Sequence, residues 1–264
     1  MEVKDRWINS QEMCVAESDT KSRIITIISG KRGVGKTNIA VNLSMALAKF
    51  GKSVTLLDAD TSSANMQVLL GIEPKSTMDD VLRGEKTISD ITIVDPSGIR
   101  VISANSGGDS FGGKDYTVKD QMLHEICKLQ NANDFLLIDT STDFSETVVD
   151  FALRADEVIV VITPELMAVS DAYGLLKILF GMKESIQFKT IINFAKSKDE
   201  AEEVFEMFLM VAHYFLNVEI EYLGFVLQDN HVQTAVKMHS PLLRSFPGCE
   251  AAKCFHQIAL RMLS

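Results

Sequence analysis

The sequence predicts an α/β protein: a mostly parallel, twisted sheet with helices on both faces. Three observations carry that prediction. Near-continuous apolar segments, such as Phe135-Leu136-Leu137-Ile138 and Val158-Ile159-Val160-Val161-Ile162, suit strands that are buried on both faces. Helix-period segments alternate with them along the chain. Asp58, Asp60, Asp139, Thr163 and Asn193 all fall where predicted strands stop, and open parallel sheets bind ligands beyond those carboxyl ends.

The first strand is the β-branched run 24–28, followed by a Gly-rich turn and a helical pattern over 38–50. Segment 53–57 reads as a second buried strand ending in Asp58-Ala59-Asp60. A helix-like piece at 64–70, a break at Pro74 and a short amphipathic segment at 78–82 come next, then a strand at 99–103. Residues 106–117 form a Gly-rich linker leading to a helix with Met122, Ile126 and Leu129 on one face. Because the strand–helix alternation continues past the linker, the body 23–249 is expected to be one domain. Strands follow at 135–139, 157–162 and 189–193. A helix over 170–182 groups Tyr173, Leu176 and Phe180. A longer one over 199–216 is expected to bury Val204, Phe205, Phe208, Leu209, Ala212, Phe215 and Leu216, leaving Met207 and Met210 off the stripe. Residues 1–22, with Trp7 and Ile8 as their strong apolar anchor, read as a flexible tail.

Bulk properties narrow the function. The 264 residues are 46% hydrophobic, ample for a core. A net charge of −10 argues against sequence-blind DNA binding, so nucleic acid is an unlikely partner. No apolar run approaches the ~20 residues of a membrane span, and four scattered cysteines fit reduced thiols in a cytoplasmic protein. Cys249 and Cys254 lie five positions apart, off a common helix face, and read as buried, inert thiols rather than a metal clamp.

The chemistry begins at Gly30-Lys31-Arg32-Gly33-Val34-Gly35-Lys36-Thr37, which is G-x-x-x-x-G-K-S/T between a strand and a helix, the context of a phosphate-binding loop. Gly30, Gly33 and Gly35 let backbone N–H groups crowd around phosphate oxygens. The helix beginning near Lys36 adds its positive end. Lys36 reaches the β and γ phosphates, and Val34 and Asn38 complete the loop's predicted contacts. The predicted Mg²⁺ set is the Thr37 hydroxyl with Asp58 and Asp139, the last acting through water. Of Asp58 and Asp60, one can face the metal and the other the attacking water. Lys31, directly after the first glycine, points away from the loop's own phosphates.

With these residues the chain resembles the MinD/ParA family of dimerising ATPases, whose deviant Walker A reads K-G-G-V-G-K-T. Asp58-Ala59-Asp60 with Asn65 is similar to the family's D-x-D-x-x-x-x-N stretch, and Asp139-Thr140 to its Walker B end. The flagellar-number branch, FlhG or FleN, resembles it most, through 57–71, 74–85, 98–102, Thr163-Pro164-Glu165 and Asp171-Ala172-Tyr173. The resemblance implies a homodimer with two ATP molecules and Mg²⁺ between subunits, and ADP after turnover. Lys31 would cross to the other subunit's phosphates, and Asp60 would orient the hydrolytic water. Asn193 with Gln228 and Asp229 would contact adenine. The family acts with an FlhF-type GTPase and components of the flagellar basal body. It attaches to the inner face of the cell membrane through a C-terminal amphipathic helix.

Departures from the family pattern modify these expectations. Arg32 replaces the second glycine, and D-T-x-A-G becomes Asp139-Thr140-Ser141-Thr142-Asp143, so hydrolysis is expected to be slow. The GTPase-stimulating D-Q-A motif is only partial, as Ser10-Gln11-Glu12. Segment 250–264 carries an apolar stripe that suits either a helix packed on the core or one lying on a membrane surface. Two alternatives accompany the dimerising switch: a nucleotide-sensing scaffold with little hydrolysis, and a positioning or DNA-partitioning ATPase.

Overall fold

The structure is a computed structural model that describes residues 22–60, 65–104, 125, 133–142 and 145–264. The expected N-terminal tail, the 106–117 linker and the helix around Met122, Ile126 and Leu129 lie outside the described residues, as do Cys14, Cys127 and Asp143.

Strand β1 (Arg23–Ile28) enters the Gly-rich turn and leads into α1 (Lys36–Lys49). Strand β2 (Val54–Ala59) precedes α2 (Asn65–Leu70), α3 (Met78–Leu82) and α4 (Ile88–Ile91). Thr77 and Thr87 start the last two with capping boxes to Asp80 and Asp90, which satisfy N–H groups that a short helix cannot. Then come β3 (Ile93–Val94), β4 (Arg100–Ser103), β5 (Phe135–Thr140), α5 (Glu146–Arg154) and β6 (Glu157–Ile162). The chain continues through α6 (Leu166–Met182), β7 (Gln187–Ala195), α7 (Lys198–Leu216) and β8 (Ile220–Leu227). It closes with α8 (Asn230–Lys237), α9 (Leu242–Ser245) and α10 (Glu250–Leu263).

The eight strands lie in the order β3-β4-β2-β5-β1-β6-β7-β8. All neighbours are parallel except β3 and β4. The sheet is therefore the predicted one. β1 sits at its centre between β5 and β6, so the Gly-rich turn opens where the strand order reverses, the usual ligand position in such sheets. One core on each face holds it together: Phe151, Leu176 and Phe208 on one side, Leu43, Leu56 and Phe255 on the other. Each fully buried side chain of this size contributes roughly 1.5–3 kcal/mol.

Charge enters the sheet at the end opposite the turn. Arg23 Nε donates to Glu157 at 2.9 Å, and Lys189 Nζ lies 3.3 Å from Glu157 and 2.8 Å from Glu221. These ions are tolerated in strands because they pair with one another.

Three expectations change. The helix expected from Ser170 begins at Leu166, because Glu165 already takes the extended N-cap conformation. Phe215, expected inside, is 65% exposed. The last turn of α7 rides up beside α6, where Phe215 meets Tyr173 and Tyr214 at the surface. Met207 and Met210 are exposed as well. Finally, the apolar stripe of α10 is buried, with Phe255, Ile258, Ala259 and Met262 packed on β8 and α1. Of the two readings of this segment, the packed terminal helix is the one observed; a membrane surface has no apolar face to meet unless the helix detaches. Among the described residues no helix is long and apolar enough to cross a membrane.

Candidate functional site

The loop after β1 is held by contacts that only glycine permits. A Cβ on Gly30 would lie 2.3 Å from the Asp171 carbonyl carbon of α6, so the loop starts hard against that helix. Gly33 and Gly35 have φ of 79° and 89°, in the left-handed region. A Cβ on Gly35 would strike Asn193 Nδ2 at 2.4 Å. That amide donates to the Val34 carbonyl at 2.7 Å, out of solvent. Asn193, expected at adenine, thus uses one of its amide N–H donors to brace the loop.

Lys36 is buried at the start of α1, and its Nζ donates to Ser29 Oγ at 3.0 Å and Thr142 Oγ1 at 2.6 Å. These hydroxyls keep an ammonium in place at the point where phosphates would be read. Thr37 and Asn38 follow in the first turn, partly exposed toward the same opening. Arg32 is exposed. Lys31 forms an ion pair with Glu165 of its own chain, on the outer side of the loop.

Asp58 and Asp139 face each other in register across β2 and β5. Asp139 is 0% exposed, and among the described residues neither carboxylate oxygen makes a hydrogen bond of normal geometry. Burial pushes its pKa up to about 7. The Thr37 hydroxyl and the Lys36 ammonium pull it back, and the charge of Asp60 adds to the rise. Asp58 is likewise held well above the ordinary carboxylate range by burial and by the charge of Asp139, against the Asp60 backbone N–H that donates to it at 3.3 Å. Two buried carboxylates beside a hydroxyl, that of Asp139 under-satisfied, are costly on their own and suit a hard, oxygen-seeking cation. The residues present therefore fit Mg²⁺, with Thr37, Asp58 and Asp139 as the predicted set.

Beside the loop opens a cavity of about 350 Å³ lined by Thr163, Phe194, Lys196, Gln228 and Asp229 among others. Its lining includes two of the three expected base contacts, Gln228 and Asp229, together with Phe194. The ring of Phe194 lies 3.4 Å from where a Cβ on Gly35 would stand, so cavity and loop adjoin. Phe194 has φ 61°, uncommon for a bulky residue. The register with β8 shifts between Asn193 and Ala195, and this irregularity turns the ring out of the sheet. Ser29, Thr142 and Phe194 are site residues that sequence reasoning missed. Only the hydroxyl flanking the loop and the aromatic after Asn193 hinted at them.

A family model described as ParA, NUBPL iron-transfer P-loop NTPase, matches residues 20–263. Antiactivator FleN of Pseudomonas aeruginosa is 34% identical over 240 residues, covering 91% of this chain and 86% of that protein. Flagellum site-determining protein YlxH of Helicobacter pylori is 29% identical over 247 residues, 92% of this chain and 82% of that one. Among solved structures, the MinC:MinD cell division complex of Aquifex aeolicus aligns with a TM-score of 0.73 at 25% identity, covering 92% of this chain and 96% of that chain. Septum site-determining protein MinD of Pyrococcus horikoshii, complexed with Mg-ADP, aligns with a TM-score of 0.72 at 23% identity over 91% of this chain and 96% of that chain.

Proposed function

Because the chain belongs to the ParA/MinD family of P-loop NTPases, we propose that it is an ATP-dependent dimerisation switch that regulates flagellar number and placement. The observation that carries the nucleotide half of this reading is the fully buried Asp139, whose carboxylate oxygens make no hydrogen bond of normal geometry among the described residues, beside Asp58, Thr37 and Lys36. Its similarity to FleN and YlxH supports the flagellar half.

In this reading the backbone of Gly30 to Gly35 and the N-terminus of α1 receive the phosphates of ATP or ADP. Lys36 exchanges the hydroxyls of Ser29 and Thr142 for phosphate oxygens. Thr37, Asp58 and Asp139 would hold Mg²⁺, which when bound would neutralise phosphate charge. Asp60, at the end of β2, orients the attacking water and takes up its proton. Phe194, Gln228 and Asp229 form the wall against the base. Lys31 leaves Glu165 and reaches the nucleotide of a second copy, which makes hydrolysis a property of the homodimer.

An FlhF-type GTPase and flagellar basal-body components are the proposed partners. Peripheral membrane contact through 250–264 requires α10 to leave the body. Slow hydrolysis is favoured by Arg32 in the loop and by the sequence change to Asp143, which replaces the family glycine whose backbone N–H is offered to the γ-phosphate. The same two features favour a second reading, a nucleotide-sensing scaffold with little turnover.

Steady-state ATP turnover with Mg²⁺ tests both. The switch requires wild-type turnover that Asp60→Ala abolishes while nucleotide binding persists. Equal, background-level turnover in the two proteins removes the catalytic reading and leaves the scaffold.

A further inference from the structure

Asp229, His231 and Cys249 bring a carboxylate oxygen, an imidazole nitrogen and a sulfur within 4.8 Å of one another. The three arrive from different places. Asp229 caps α8, His231 lies in the first turn of that helix, and Cys249 caps α10. We infer that this cluster is a site for a borderline-soft divalent cation of the Zn²⁺ class, ligated by Cys249 Sγ, His231 Nδ1 and an Asp229 carboxylate oxygen.

The donor set selects the ion. A sulfur and an imidazole nitrogen with one oxygen suit Zn²⁺ and disfavour Mg²⁺, which prefers oxygen ligands throughout. Three protein donors leave one tetrahedral position for water. Zinc–ligand bonds of about 2.0–2.3 Å set donor atoms roughly 3–4 Å apart, so Cys249 Sγ must draw closer while His231 Nδ1 and Asp229 Oδ1, 2.7 Å apart, must open slightly. The Cys249 thiol proton, and any proton on His231 Nδ1, leave to solvent as the cation enters.

The ligands are already braced. Asp229 Oδ1 lies 2.7 Å from His231 Nδ1 and accepts the His231 backbone N–H at 2.9 Å. Asp229 Oδ2 accepts from Ala251 N at 3.3 Å, which anchors the carboxylate to α10. The His231 ring packs against Phe246 with centroids 4.8 Å apart, and the Phe246 carbonyl accepts from Cys249 N at 3.2 Å. One residue thus steadies two donors.

Helix capping alone does not account for the choice of residues. A cap on α10 is best made by Ser, Thr, Asp or Asn, whereas here a sulfur accepts from Ala252 N at 3.4 Å. His231 needs no imidazole for its backbone N–H to be capped. A bound cation would fasten the starts of α8 and α10 to the Gln228–Asp229 rim of the cavity, fixing the terminal helix to the body.

The test uses the reduced full chain, stripped with a chelator and titrated with Zn²⁺ against a chromophoric competitor, with Co²⁺ as the spectroscopic probe. Nucleotide and Mg²⁺ are omitted, so the result is independent of the ATPase reading. The site predicts one equivalent of Zn²⁺ and a thiolate-to-cobalt charge-transfer band. Cys249→Ser keeps an oxygen for the helix cap; it should lose the band and bind at least about tenfold more weakly. His231→Ala should weaken binding comparably, and Cys254→Ser should leave it unchanged, with far-ultraviolet circular dichroism confirming the fold of each variant. Absence of stoichiometric binding overturns the inference. So does a band that survives in Cys249→Ser, which would put the cation at other donors.

Discussion

Asp58 and Asp139 stand side by side on adjacent parallel strands, and the charge of Asp139 helps to hold the Asp58 pKa up. The pair makes the nucleotide-free protein sensitive to pH. Asp139 titrates near 4 in an unfolded chain and at about 7 when folded, so between these values the folded state holds the extra proton. Stability therefore falls as pH rises through that window. Asp139→Asn should be more stable than wild type by on the order of 4 kcal/mol near pH 8, with the difference vanishing toward pH 4. Thermal melts across this range measure it, and the same variant should lose Mg²⁺-dependent nucleotide affinity.

Lys31 rests on Glu165 of its own chain, a partly exposed ion pair worth about 1 kcal/mol or less. Lys31→Ala should abolish ATP-dependent dimerisation in sedimentation while sparing nucleotide binding. Glu165→Gln should strengthen dimerisation by up to about fivefold, because the lysine no longer leaves a partner behind. A monomeric Lys31→Ala variant with normal turnover would refute the role of the dimer in hydrolysis.

Asn193 is expected to act on the loop rather than on base recognition. Asn193→Ala leaves the buried Val34 carbonyl unpaired, at a cost of about 1–3 kcal/mol. Affinity for ADP and for inorganic pyrophosphate should drop together in calorimetric titrations. Loss of ADP binding with pyrophosphate binding intact would return Asn193 to the base.

The terminal helix carries a stability prediction. Phe255→Ala removes a buried ring between β8 and α1 and should cost roughly 3–5 kcal/mol in urea unfolding. Leu260→Ser, on the outward face, should stay within about 0.5 kcal/mol. Vesicle cosedimentation of the wild type with and without ATP reports whether the helix ever leaves its seat. Nucleotide-dependent binding that Leu260→Ser leaves intact and deletion of 250–264 removes would show that it does.

The central strands were legible because their apolar runs are long and their ends carry polar residues with nowhere else to go. β8 was not anticipated: Glu221 and Gly224 interrupt its pattern, as an edge strand with one partner allows. Phe215 misled the helix reading, since helical spacing says which residues share a face but not how far the opposite element extends. Within the site the loop, Lys36, Asp58, Asp60 and Asp139 announced themselves by motif. Thr142 and Phe194 did not, because one meets Lys36 across 106 positions of chain and the other depends on an irregular strand. Cys249 was judged against Cys254 along the sequence, whereas its neighbours in space are Asp229 and His231.

The seat of α10 also bears on the order of synthesis. Residues 250–263 cover the flank of α1, and Asn42 of α1 accepts from Leu243 N at 3.0 Å just upstream of them. A ribosome delivers α1 more than two hundred residues earlier in the chain. Throughout that interval the helix behind the phosphate loop carries an uncovered apolar side, a natural surface for a chaperone. That side of α1 is covered only once α10 has emerged, so nascent chains should be poor competitors for cellular ATP.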